Sequence, residues 1–278
     1  MLLKLILLAF FLVSLFEAAC YLLLRYEDAD ITPRRDPLPA ASLLAAFAAE
    51  CVVTLLLLLT RPLGLLGGKL SNGSGRPVLL VHGWGQNRAS MALLAARLRR
   101  DGRATQSINY PSVSESMEIK AAVVASALRS AAALSDDGLV DVVAHSQGGV
   151  LVRDAAAGQQ CSTILGNVIT LGSPHQGTGL AAVVPFKSAV QLKRNSRYLQ
   201  RLDAAEEGVA WTHFVSIAST FDAIVFPREC SGYAPGMNVT VNAIGHNSLL
   251  VAGGVYELVK ENLAYSPLAP DPAAHVKK

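Results

Sequence analysis

The chain has 278 residues, 51% hydrophobic and 16% charged, with 24 Lys and Arg against 21 Asp and Glu for a net charge of +3. That small excess is spread along the sequence without a basic block or a basic-aromatic stripe, which excludes a nucleic-acid surface. Cys20, Cys51, Cys161 and Cys230 lack metal-ligand spacing, so no metal site is expected; a Cys161–Cys230 disulfide and two separate thiols both stay open.

Residues 1–62 read as a membrane-anchoring hydrophobic hairpin. Leu5–Leu24 and Ala40–Thr60 each supply about twenty mostly apolar residues, the length a helix needs to cross a hydrocarbon core of roughly 30 Å. A cleaved signal over Met1–Cys20 is the runner-up. It is disfavoured by the length of the run, by Glu17 three residues before Cys20, and by the second apolar segment. Helices packed on a soluble domain are disfavoured because neither segment has a continuous polar face. Each segment carries one acid, Glu17 or Glu50, costing on the order of 3 kcal/mol at bilayer depth. The leucine runs offset this cost, and Glu17, toward one end of its segment, is expected to reach the interface. Arg25, Arg34 and Arg35 in the connector nearly balance Lys4, Arg61, Lys69 and Arg76 on the other side. The positive-inside rule therefore leaves the orientation open. The expectation adopted is a bacterial inner membrane, with the C-terminal domain on the periplasmic or outer side.

Residues 63–75, with Gly67-Gly68-Lys69-Leu70-Ser71-Asn72-Gly73-Ser74-Gly75, read as a linker. Beyond it, residues 76–264 alternate short apolar runs with amphipathic stretches. Strands are expected at Val78–His82, Ala104–Asn109, Val140–Ala144, Asn167–Leu171, His213–Ala218 and Asn238–Ala243. Helices are expected at Met91–Arg100, Glu115–Leu134, Val150–Ala157 and Leu249–Leu263. Such alternation makes an α/β domain with a mostly parallel sheet covered on both faces, whose ligands bind at the carboxyl ends of the strands. Residues 176–207 break the rhythm, either as a small cap over the site or as an ordinary crossover; residues 265–278 are a tail.

Three stretches carry chemistry. In Val81-His82-Gly83-Trp84-Gly85-Gln86 the glycines free the backbone at a strand end to approach a ligand, and His82 reads as structural. In Val140-Asp141-Val142-Val143-Ala144-His145-Ser146-Gln147-Gly148-Gly149 an apolar strand runs through a Ser flanked by small residues into a helix, which is a nucleophile elbow. The backbone N–H groups of Trp84 and Gln147 are then the expected oxyanion hole, where one donor is typically worth about 3 kcal/mol in the transition state. In this arrangement the acid and base follow the nucleophile in the chain. Asp222, in a loop after the fifth strand, is the expected acid; Asp141, Asp154 and Asp203 are less well placed. His246, between the last strand and the final helix, is the expected base, taking the Ser146 proton while Asp222 fixes its tautomer. His145 is expected to point away, His213 to begin a strand, and His275 to lie in the tail. Leu171-Gly172-Ser173-Pro174-His175-Gln176-Gly177-Thr178 leaves another strand end and is expected to border the substrate pocket.

On these residues the chain resembles bacterial lipases and esterases of the α/β-hydrolase superfamily, most of all the small lid-less triacylglycerol lipase type, over about Pro77–Ala264. The matching pieces are Val78–Gly85, Val140–Gly149, Ser219–Val225 and Gly245–Leu250, and the lid-less group also has Ala at the position of Ala144. Leu171–Thr178 is similar to a loop of other lipases and of membrane-bound lipid-remodelling hydrolases. The resemblance implies an α/β-hydrolase fold and cofactor-free cleavage of carboxylic esters, with a lipid or other hydrophobic ester as substrate. The hairpin and the long 176–207 stretch depart from the lid-less pattern. A transacylase or thioesterase using the same triad is the alternative enzyme, and a catalytically idle membrane-bound interaction protein the alternative of another class.

Overall fold

The computed structural model describes residues 2–31 and 40–266; Arg34, Arg35, His275 and most of the tail lie outside them. Two long helices, α1 (Leu2–Ile31) and α2 (Ala40–Thr60), open the chain and pack on each other. Both are long and apolar enough to cross a membrane.

Six strands follow, β1 (Ser74–Val81), β2 (Arg103–Ser107), β3 (Val140–His145), β4 (Leu165–Leu171), β5 (His213–Ser219) and β6 (Met237–Val241). They form one all-parallel sheet in the order β2-β1-β3-β4-β5-β6. β1, β3 and β4 are apolar on both faces because both faces are covered. In β1, Leu79 and Val81 face α4 (Met117–Ala132) and α5 (Gln147–Ala157), while Val78 and Leu80 face α3 (Ala92–Arg100) and α8 (Gly253–Leu263). The strands and helices lie where the apolar periodicity puts them, to within a few residues. The exceptions are β1, which starts inside the stretch read as linker, and the last helix. There the chain makes a 3-10 turn at Asn247–Leu250 before α8 begins at Gly253.

Residues 176–207 hold a 3-10 turn (Gly179–Ala182) and two short helices, α6 (Lys187–Gln191) and α7 (Arg197–Ala205). Arg153 on α5 ties this segment down. Its guanidinium is buried, donates to Glu206 and Asp203 and to the His175 carbonyl, and lies 4.6 Å from the centre of the Tyr233 ring.

The hairpin also lies against the sheet domain. On α1, Cys20 and Leu24 pack with Ala223 and Phe226, and Tyr21 meets the Phe221 ring at 5.1 Å. On α2, Glu50 is buried against the 3-10 turn at Asn247–Leu250. Glu17 is buried, 3% exposed, and accepts a hydrogen bond from Thr54 Oγ1 at 2.9 Å. Each acid is matched by donors in space rather than by a polar helix face. Cys161 is a free thiol beside Arg129, so the Cys161–Cys230 bond is not formed.

Candidate active site

Because the sheet is all parallel, the loops after β1, β3, β4, β5 and β6 gather at one edge. β3 ends at His145, and Ser146 turns the chain into α5 with φ 54° and ψ −128°, a conformation non-glycine residues seldom adopt. The turn is tight because α5 crosses close to β1. A Cβ on Gly148 would lie 2.7 Å from the carbonyl oxygens of Val81 and His82. Ala144, fully buried, pairs with Val81 on one side and Thr170 on the other.

Asp222 sits in the loop after β5 and His246 in the loop after its neighbour β6. Asp222 Oδ1 accepts the backbone N–H groups of Ile224 at 2.9 Å and Val225 at 2.8 Å. This leaves Oδ2 for His246 Nδ1, 2.7 Å away. Both side chains are buried. Burial alone would push the imidazole down, but the carboxylates of Asp222, then Glu50 and Glu17, outweigh it and hold His246 above its ordinary value. With Nδ1 engaged as the donor to Asp222, Nε2 is left as the basic nitrogen. Ser146 and His246 line the same cavity of about 500 Å³.

Trp84 and Gln147 line that cavity too. Among the described residues no hydrogen bond occupies either backbone N–H. Gln147 leads α5, where the first N–H groups have no partner within the helix. Its side chain is packed against the buried Lys120, whose ammonium donates to the Ser112 carbonyl at 2.8 Å and which burial pulls down to about 8.

His82 is structural. Its ring stacks on Tyr110 at 4.2 Å, Nδ1 donates to its neighbour's carbonyl, Gly83 O, and burial pushes it down to about 4. His145 is buried beneath the site. There its Nε2–H donates to the His246 carbonyl at 3.0 Å, and burial holds the ring well below its ordinary value. The less favoured acids are engaged elsewhere: Asp141 with Arg103 at the opposite end of β3, Asp154 with Tyr198, and Asp203 with Arg153. His213 begins β5 and meets Asn262. In the loop after β4, Pro174 and Thr178 face the cavity, whereas His175 is turned inward onto Thr170.

Several residues near the site carry no sequence signal of their own. Gly172 has φ 55°, and a Cβ there would lie 2.9 Å from Asp222 Oδ2 and 3.1 Å from His246 Nδ1. Asn247 links the hairpin to the loop after β1. Its Nδ2 donates to Thr54 Oγ1 at 2.9 Å and its Oδ1 accepts from Gln86 Nε2 at 2.8 Å. Gln86 Oε1 in turn accepts the Gly83 N–H at 3.1 Å. The cavity wall combines Phe16 of α1, Leu57 and Leu58 of α2, and Val183, Val184 and Phe186 of the segment before α6.

Solved structures with this fold include lipases. The mature Bacillus licheniformis lipase BlEst2 superposes with a TM-score of 0.61 at 16% identity, covering 71% of this chain and 96% of that one. Aspergillus fumigatus lipase B gives 0.59 at 18% identity, over 73% of this chain and 55% of that one. Paleococcus ferrophilus monoacylglycerol lipase gives 0.53 at 14% identity, over 70% and 96%. At these identities the likeness is one of fold, the α/β-hydrolase fold. No curated protein matches the sequence. A family model described as a domain of unknown function, DUF7379, covers residues 67–225, which takes in the elbow, the loop after β1 and Asp222, and the chain belongs to that family.

Proposed function

We infer that this protein is a serine hydrolase cleaving carboxylic esters, anchored to a membrane by α1 and α2 and acting on lipid or similarly hydrophobic esters. The observation that carries the reading is the buried Asp222–His246 hydrogen bond of 2.7 Å beside Ser146, at the wall of an apolar cavity. In this reading Ser146 Oγ attacks the ester carbonyl carbon while His246 Nε2 takes its proton. Asp222 keeps Nε2 in the accepting tautomer and stabilises the imidazolium. The carbonyl oxygen becomes an oxyanion facing the N–H groups of Trp84 and Gln147. Collapse breaks the carbon–oxygen bond to the alcohol, which departs carrying the proton from His246, while the acyl group stays on Ser146 as an ester. Water, deprotonated by His246, then frees the acid and regenerates the serine. These steps use no metal or cofactor.

The lipid part of the reading is supported by the cavity's walls. Phe16, Leu57 and Leu58 come from the hairpin itself, and the outer faces of the same helices leave Leu8, Leu12, Leu15 and Leu56 exposed. A substrate resident in a bilayer would meet the cavity along apolar surface throughout.

The test is fluorophosphonate labelling and p-nitrophenyl ester turnover by the full-length protein in micelles. Labelling should disappear, and turnover fall roughly 10⁴-fold or more, in a folded Ser146→Ala variant. Wild-type turnover in that variant would move the nucleophile elsewhere. Labelling of intact cells against lysates reports the side of the membrane that the domain occupies.

A further inference from the structure

The loop that carries His246 leaves β6, which is the edge of the sheet and largely exposed. The sheet alone supports such a loop on one side only. The other side is held by α2. Glu50 is 4% exposed, and its carboxylate accepts three hydrogen bonds: from Asn247 N–H at 2.6 Å, Ser248 N–H at 2.9 Å and Ser248 Oγ at 2.6 Å. All three partners donate to it. On the other side of His246, Gly245 lies so close that a Cβ would sit 2.1 Å from Glu50 Oε2. The residues flanking the imidazole are thus gripped by one side chain. Meanwhile α1 packs on the loop of Asp222, so the two helices bear on the two halves of the Asp222–His246 pair.

We propose that Glu50, carried on an otherwise apolar helix, is a positioning residue for His246, fixing the loop that presents the imidazole to Ser146. The proposal rests on the reading of Ser146 as nucleophile and His246 as base. Glu50 touches neither substrate nor the reacting atoms, so its effect falls on the geometry of proton transfer. A displacement of about 1 Å at such a centre can cost on the order of 100-fold in rate. It also falls on the histidine's charge. The groups facing His246 are Asp222 on the loop after β5, Glu17 on α1, Glu50 on α2 and His145 beneath it. Losing one of three carboxylates makes the imidazole easier to deprotonate.

The experiment uses the full-length chain in detergent micelles with Glu50→Gln, which keeps size and one acceptor oxygen, and Ser248→Ala, which removes a single donor. Glu50→Ala is added where thermal unfolding shows it folds. Glu50→Gln is expected to lower kcat by roughly 10- to 100-fold with KM nearly unchanged, and to move the acidic limb of the kcat/KM profile to lower pH. Ser248→Ala is expected to give a smaller loss of the same kind. Independently of turnover, the titration of His246 followed by NMR on histidine-labelled protein should shift to lower pH in Glu50→Gln. A folded Glu50→Gln with the parent's kcat, pH profile and histidine titration would overturn the proposal. If Ser146→Ala keeps its turnover, the hydrolase reading fails instead, and the His246 titration still decides whether Glu50 holds that loop.

Discussion

Asp222 Oδ2 stands 2.7 Å from His246 Nδ1, although the two residues sit on separate loops beyond neighbouring parallel strands. The other oxygen of Asp222 is fixed by two backbone N–H groups of its own loop. The acid is therefore held in orientation by its own loop.

Replacing Asp222 with Asn keeps the shape and removes the charge. Turnover should fall about 10⁴-fold through loss of the correct tautomer. The sign of the pH effect follows from the base needing to be neutral. Activity is lost as pH falls through the His246 value, which lies above the ordinary histidine value in the parent. In Asp222→Asn the residual activity should extend to lower pH, read from kcat/KM against pH.

Gly172 is the narrowest point behind the pair. Gly172→Ala combines a left-handed backbone with a methyl 2.9 Å from Asp222 Oδ2. The expected result is a folded protein with kcat lowered by roughly 10- to 100-fold and substrate affinity little changed, measured by steady-state kinetics on a short ester.

Much of this was legible in the residues. β1, β3 and β4 announced themselves as apolar runs because they are buried on both faces, and the elbow announced itself through Ser146 between Ala144 and Gly148, where only small residues let α5 pass β1. What could not be read were contacts between residues far apart in the chain. Glu17 and Glu50 looked like isolated charges in apolar helices because their partners, Thr54 for one and Asn247 and Ser248 for the other, belong to different elements. The same contact falls on the 3-10 turn ahead of the last helix, whose first two N–H groups, those of Asn247 and Ser248, are the ones Glu50 accepts.

The cavity predicts chain-length preference. Leu57→Trp places bulk in its wall from the hairpin side. Each excluded methylene costs about 0.8 kcal/mol of apolar burial, so kcat/KM for long-chain esters should fall about tenfold for every two methylenes displaced. Acetate ester hydrolysis should persist. A parallel loss on short and long esters would place the acyl chain elsewhere.

Arg153 is the fastening of the segment over the cavity. Arg153→Met leaves the buried Glu206 carboxylate without its cation, and removing one partner of such a pair costs about 3 to 5 kcal/mol. The expected outcome is a clear drop in the denaturation midpoint of the domain, measured by chemical unfolding followed by tryptophan fluorescence.

Glu50 precedes its partner Ser248 by 198 residues, and this separation sets an order of events at the ribosome. The helix that carries Glu50 is made well before its docking loop, so at roughly 5 to 20 residues per second the helix spends on the order of 10 to 40 s before its counterpart exists. The nascent chain thus lacks this contact throughout that interval.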